Sequence, residues 1–303
     1  TLTGMYVSKD KRTLEDNEKD FGSGSTKTEW RFIAKPDEAY DSFFSAGINP
    51  YYQSASEIIA SQTEVSTWIV GKNIEQIYYY GTGITGEDKV QIIREFLSAI
   101  IQGASVQIEN DLMAAAKASC GDEKGIACIL GTGSNSGFFD GQKITEQIPP
   151  LGFWLGDEGS GGHLGKMLVL SYLHHEMPEE LRTSFIARFG ELTRLDVLEK
   201  AYRGEFPNRW FASFSKFIFQ HRREPFCYQL IEQSFQQFCS LYILKYTHAF
   251  ETPIHFTGSV AFYYSDILKR VLNAHKLKLG HISEAPMAGL TLYYKNLLWP
   301  KTK

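Results

Sequence analysis

A short glycine-hydroxyl string occurs once in each half of this chain, as Gly22–Thr26 (GSGST) and as Gly131–Asn135 (GTGSN). Each is followed by an apolar stretch that reads as strand, WRFIA after the first and GFF after the second. Each string is therefore predicted to be the tight turn of a β-hairpin. A turn repeated in this way suggests two related domains facing each other, although short glycine-serine strings also recur by chance. The length agrees with two domains, since the chain has 303 residues and single cores stop growing near about 250–300.

Apolar runs bounded by turn residues predict strands at Trp30–Ala34, Ile74–Tyr80, Ala104–Glu109, Ile126–Leu130 and Ile254–Thr257. Helical spacing predicts helices over Asp88–Ile101, Leu112–Ser119, Pro225–Phe250 and Tyr263–His275. Strands alternating with helices define an α/β architecture with partly parallel sheets.

The net charge of −4 argues against a nucleic-acid partner, which would demand a basic surface. No apolar run approaches the roughly 18 residues of a membrane span. The first twenty residues are mostly polar and charged and do not read as a secretory signal, so a cytoplasmic protein is expected. Met5 reads as a natural start, with the residues before it as an added remnant. Cys120, Cys128, Cys227 and Cys239 form no C-x-x-C pair and are expected to be reduced and buried. The histidines have no metal-ligand spacing.

Glycine-hydroxyl turns suit phosphate. Glycine lets backbone approach closely, consecutive N–H groups form an anion-binding concavity, and the hydroxyls add donors. A Walker loop is excluded, because Thr26 rather than glycine precedes Lys27 and a strand follows. A dinucleotide fingerprint would need glycine where Lys27 stands.

Three further elements carry chemistry. Asn110-Asp111 follows the ASVQIE strand, at the carboxyl end where open α/β sheets place ligand groups. Asp111 could be only a helix N-cap; ionised at neutral pH, it could also accept a proton from an attacking hydroxyl. GFWLGDEGSGGHLGK (Gly152–Lys166) joins two acids to a glycine-rich helix start near His163, or is a solvated loop. FTGSVA (Phe256–Ala261) is another strand, glycine turn and helix.

In this order, GSGSTKTEW, Asn110-Asp111, GTGSNS, GDEGS and FTGSVA resemble the N-acetylglucosamine kinase family, grouped with the benzoyl-CoA reductase and dehydratase-activator ATPases. The resemblance runs from about Gly22 to the terminal EAPMAGLTLYY. It implies a two-domain actin-like (ribonuclease H-like) ATPase fold with a cleft between domains. One domain would span residues 1–112 and the other 113–303, with a last helix over about 286–303 returning to the first. The implied activity is phosphoryl transfer from ATP, with Mg²⁺, to a hydroxyl of an amino sugar, N-acetylglucosamine first, with domain closure excluding water.

Residue by residue, the resemblance makes Asp111 the catalytic base. It gives ATP to Gly24, Ser25, Thr26 and Lys27, to Gly131, Thr132, Gly133 and Ser134, and, for the adenosine, to Gly258 and Ser259. It gives the sugar to Asn49 (of AGINPYY), Asn110, Asp111, Thr132, Gly156 and Asp157, with Thr132 touching both substrates. No metal ligand is assigned, and a homodimer stays open.

The chain departs from the family at its start. Members carry an apolar first strand leading into D-x-G-x-T, whose aspartate organises the metal. Here Gly22 stands in the aspartate's place, after the charged segment LEDNEKDF. Burying those charges unpaired would be costly. The first twenty residues are therefore expected not to form the central strand, and turnover is expected to be low. Two other functions fit the residues: a non-catalytic sugar- or nucleotide-binding protein, and an ATPase activator of a CoA-ester dehydratase, which would need cysteines for an iron–sulfur cluster.

Overall fold

The computed structural model describes residues 2–5, 27–35 and 39–300. The chain divides into two units, Thr1–Asp122 with Ala285–Lys303, and Glu123–Glu284.

The first unit opens with β1 (Leu2–Met5), β2 (Lys27–Phe32) and β3 (Asp41–Ala46). Helices α1 (Ala55–Ser61) and α2 (Thr63–Trp68) lead to β4 (Gln76–Gly81), then come α3 (Glu87–Ile100), β5 (Ser105–Asn110) and α4 (Asp111–Cys120). The sheet order is β3-β2-β1-β4-β5. Strand β1 runs antiparallel to β2, with Leu2 opposite Phe32, and parallel to β4, with Leu2 opposite Ile77. Strand β5 continues the sheet parallel to β4. The spacing that marks α3 works as expected, because Ile93, Phe96 and Leu97 are buried against Trp30, Ile77 and Tyr79 of the sheet. Burial of each such side chain stabilises by about 1.5–3 kcal/mol.

One expectation fails at β1: the central strand is formed within the first twenty residues, by Leu2–Met5, and so includes residues that precede Met5. Four residues paired on both edges suffice to fill the centre of the sheet, since pairing satisfies the backbone whatever the later charges do. LEDNEKDF, Asp20 and Gly22–Thr26 lie outside the described residues.

The second unit begins with β6 (Gly125–Leu130), β7 (Ser134–Phe139) and β8 (Ile144–Glu146). A helical run follows: α5 (Gly152–Leu155), α6 (Gly161–Leu173), α7 (Glu179–Phe189), α8 (Arg194–Tyr202), α9 (Pro207–Ala212), α10 (Ser215–Gln220) and α11 (Pro225–Leu241). The unit closes with β9 (Ile254–Thr257), α12 (Ser259–Tyr263), α13 (Ser265–Ala274) and β10 (Leu279–Ser283). Its sheet order is β10-β9-β6-β7-β8. The strands β6 and β7 are antiparallel, as are β7 and β8, whereas β9 and β10 join in parallel. Counted from the start of each unit, both sheets have the same topology: an antiparallel three-strand meander whose first strand is continued on its other side by two successive parallel strands. The duplication read from the repeated turns is thus present in the sheets themselves.

The last helix, α14 (Met287–Leu298), belongs to the first unit. Gly289 lies on α4, where an added Cβ would come within 2.3 Å of the Ala118 carbonyl oxygen. Met287, Leu290 and Tyr294 share a core with Tyr80 and Ala114. Because α4 packs on α14, the unit boundary falls after Asp122 rather than after residue 112.

Two helices differ from the sequence reading. The helix expected to reach Phe250 stops at Leu241, where Tyr242 leaves helical geometry (φ −120°, ψ −63°) before a 3₁₀ turn at Ile243–Lys245. The helix expected over Tyr263–His275 begins two residues later, at Ser265, because Tyr264 (ψ 26°) separates it from α12. Apolar spacing continues through both breaks, so periodicity alone misses them. All four cysteines are free and buried, and no helix among the described residues is long and apolar enough to cross a membrane.

Candidate functional site

In the first unit, β4 and β5 end side by side, with Tyr80 opposite Glu109 and Gly81 opposite Asn110. The next residue on each strand is Thr82 and Asp111. Asn110, not Asp111, caps α4: its Oδ1 accepts the Met113 N–H at 2.9 Å. The Asp111 carboxylate is thereby left to other partners. It accepts the backbone N–H groups of Leu112 and of Asp111 itself, and the Thr82 hydroxyl. Burial of the carboxyl outweighs these bonds and pushes its pKa up to about 6. The ordinary aspartate assumed from sequence is therefore too acidic a description of this residue.

Asn49 is brought to the same turn. Its Oδ1 accepts the Tyr51 N–H at 3.0 Å, and its own N–H donates to Gln53 Oε1 at 2.7 Å. Gly83, at φ +75°, lies so close that a Cβ there would come within 2.1 Å of Asn49 Oδ1. The Gly81-Thr82-Gly83 turn thus touches both Asn49 and Asp111. Sequence reasoning passed over it, although it repeats the G-T-G of Gly131–Gly133. Of the residues expected in a first phosphate turn, Lys27, exposed at the start of β2, lies within the described residues; Gly24, Ser25 and Thr26 do not.

In the second unit, Gly131, Thr132 and Gly133 form the turn between β6 and β7, and Ser134 opens β7. The turn is held from behind by the first residues of α6: the Gly161 N–H donates to Gly131 O at 2.8 Å and the Gly162 N–H to Thr132 O at 2.9 Å. With these carbonyls fixed, the amides of Thr132 and Gly133 donate no hydrogen bond among the described residues. Adjacent amides of this kind suit an anion.

Asp157 is buried, at 6% exposure, with φ +65°. Its Oδ1 accepts the Ser134 N–H at 3.1 Å. Burial raises its pKa, while that hydrogen bond and the charge of Lys166 pull it down. Assigned from the resemblance to sugar alone, Asp157 is also a strut of the turn between β6 and β7. Glu158 points elsewhere and accepts the Tyr242 hydroxyl at 2.9 Å. Gly156 lies beneath that tyrosine, with a Cβ position 2.8 Å from its oxygen.

The loop is anchored by a pair not singled out from sequence. Ser234 Oγ accepts the Gly159 N–H at 3.1 Å and lies 2.8 Å from His163 Nδ1. Burial drives the His163 pKa down to about 4, so the ring is neutral at pH 7. A lone serine inside a long amphipathic helix gives no sequence signal of such a contact.

Gly258, between β9 and α12, has φ +136°, and an added Cβ would lie 2.1 Å from the Leu130 carbonyl oxygen. The glycine is required there by β6, whatever the turn binds. Ser259 is half-buried at the start of α12. Among the described residues no group of three or more histidine, cysteine, aspartate or glutamate side chains could hold a metal ion.

Two units of duplicated sheet topology define the actin-like ATPase fold of the sugar kinases. No protein-family profile matches the chain, and no curated protein does. Solved structures do. A putative N-acetylglucosamine kinase from Porphyromonas gingivalis matches at 39% identity over 97% of this chain and 98% of that one, with a TM-score of 0.85. A putative N-acetylglucosamine kinase from Chromobacterium violaceum matches at 18% identity over 96% of each chain, with a TM-score of 0.64. A ROK family glucokinase from Streptomyces griseus, solved with glucose and AMPPNP, shares the fold at 16% identity over 91% of this chain and 97% of that one, with a TM-score of 0.51. The chain belongs to the N-acetylglucosamine kinase family.

Proposed function

We propose that the protein transfers the γ-phosphoryl group of ATP to a hydroxyl of an amino sugar, with N-acetylglucosamine as the first candidate. The observation that carries this reading is Asp111, at the carboxyl end of β5, with a pKa pushed up to about 6. A base poised near the working pH takes a proton most effectively in a transition state. Asp111 takes the hydroxyl proton as the sugar oxygen bonds to phosphorus and the bond from phosphorus to ADP breaks.

Asn49 and Asn110, beside Asp111, supply polar groups for the sugar. The amides of Thr132 and Gly133 receive phosphate oxygens, and Asp157 holds the turn that carries them. Gly258 and Ser259 receive the adenosine. Magnesium accompanies ATP in such reactions and neutralises phosphate charge. The described residues form no protein-held site for it, so no step is derived through it. With Gly22 where the family carries aspartate, turnover is expected below the ordinary kinase range of about 1–100 s⁻¹.

The buried cysteines give no support to a redox-coupled activator. The test is a coupled ADP-release screen over glucose, glucosamine, N-acetylglucosamine and N-acetylmuramic acid. Sugar-dependent ADP release that is highest with N-acetylglucosamine supports the proposal. Ligand binding by calorimetry without sugar-dependent release from any of the four would leave a binding protein instead.

A further inference from the structure

Lys117, on α4, is buried at 7% exposure. Its ammonium donates to the Tyr80 hydroxyl at 3.0 Å and to Glu109 Oε1 at 3.0 Å. Tyr80 and Glu109 face each other across the β4–β5 ladder. Each lies two residues before a member of the Thr82–Asp111 pair. One side chain thus ties the two strands together a single step behind that pair, from the same helix that Asp111 begins. On the other side, the Tyr80 hydroxyl is hydrogen-bonded to that of Tyr294 on α14, and Tyr78 stacks on Tyr294 with ring centroids 3.9 Å apart. Gln107 also donates to Glu109 Oε1.

We propose that Lys117 is a positioning residue: by clamping Tyr80 to Glu109 it fixes the ends of β4 and β5 at the spacing that lets the Thr82 hydroxyl reach the Asp111 carboxylate. The inference rests on reading Asp111 as the base. The Thr82 bond stabilises the ionised carboxylate, so its distance from Asp111 sets how readily Asp111 gives up its proton. Geometry held by packed neighbours governs transfer rates steeply. The ionisable groups around the clamp are Glu109 on β5, Tyr78 and Tyr80 on β4, Tyr293 and Tyr294 on α14, and Asp122, which receives the Tyr293 hydroxyl. Burial holds Tyr80 and Tyr294 neutral throughout the working pH range.

The experiment follows the Asp111 carboxyl by ¹³C NMR titration of aspartate-labelled full-length chain, assigned by its disappearance in Asp111→Asn, with kcat against pH measured alongside on ATP and N-acetylglucosamine. Tyr80→Phe removes one hydroxyl and no charge. The double variant Lys117→Met/Glu109→Gln removes the clamp without changing net charge. In both, the Asp111 titration should move to higher pH by about half a unit to one unit as the Thr82 bond loosens. The acid limb of kcat should follow it, and kcat at neutral pH should fall by about tenfold while KM for either substrate changes little. Lys117→Arg should restore most of both. Tyr80→Phe decides the matter if the double variant does not fold. Variants that lower only the melting temperature, with the Asp111 titration unmoved, overturn the inference and leave the base reading intact. Ordinary turnover in Asp111→Asn would sink both.

Discussion

Asp157 Oδ1 accepts the backbone N–H of Ser134 at 3.1 Å, so an acid of the loop before α6 is a structural part of the turn between β6 and β7. On the proposed reading, one residue therefore serves both the nucleotide turn and the sugar. Its removal should be felt by the nucleotide as well as by the sugar.

Asp157→Ala leaves the Ser134 N–H without its charged partner inside a buried site, and such hydrogen bonds contribute about 1.5–3 kcal/mol. Calorimetry with a non-hydrolysable ATP analogue should show affinity falling by about ten- to a hundredfold. Loss of sugar affinity with nucleotide affinity untouched would mean that the Ser134 contact does not shape the turn.

Asp111→Asn should keep the fold and sugar binding but lower kcat by about 10²–10⁴, the usual worth of a general base. In the wild type, kcat should fall as pH drops through about 6, where Asp111 becomes protonated. Stability runs the other way. A carboxyl whose folded pKa is raised stabilises the fold below its unfolded value and loses that contribution as pH rises through the folded one. Asp111→Asn should therefore raise the melting temperature more at pH 8 than at pH 5. An equal effect at both would show that the carboxyl is not displaced.

Gly258→Ala forces a Cβ to within 2.1 Å of the Leu130 carbonyl at φ +136°. Overpacking and left-handed strain each cost about 1–3 kcal/mol. Gly103, at φ +78° with nothing within 4 Å of an added Cβ, is the control. Thermal unfolding should show Gly258→Ala well below Gly103→Ala, and equal melting temperatures would contradict the close approach.

Ser234→Ala removes the partner of both the Gly159 N–H and His163 Nδ1. Leaving such buried groups unpaired costs about 1–3 kcal/mol each. Denaturant unfolding should show a loss in that range, and unchanged stability would mean that the groups find other partners.

Much of this was legible in the sequence. Strand β9 runs over the very residues its apolar run marked, and the echo of GSGST in GTGSN pointed to a duplication that the two sheets carry. Asn110-Asp111 was found because carboxyl ends of strands collect ligand groups. The division of labour between these residues was not legible, since it depends on which oxygen meets the Met113 amide. Strand β1 was missed because LTGM has no period of its own and is recognised only by its partners β2 and β4. Thr82 was missed because its turn precedes a helix and so did not resemble the hairpin turns. Ser234 and His163 meet across 71 positions of chain, a contact that no local pattern encodes.

Helix α14 supplies Met287, Leu290 and Tyr294 to a core whose other buried members, Tyr80 and Ala114, are encoded before Asp122. During synthesis, Glu123–Glu284 emerges whole while the earlier unit still lacks its closing helix. Domains fold as they leave the ribosome, so the second unit is complete first although it is encoded later. Until the final residues are made, Tyr80 and Ala114 have no α14 to cover them. A chain truncated before Met287 should accordingly keep a folded second unit and expose a sticky, half-built first one to chaperones and proteases.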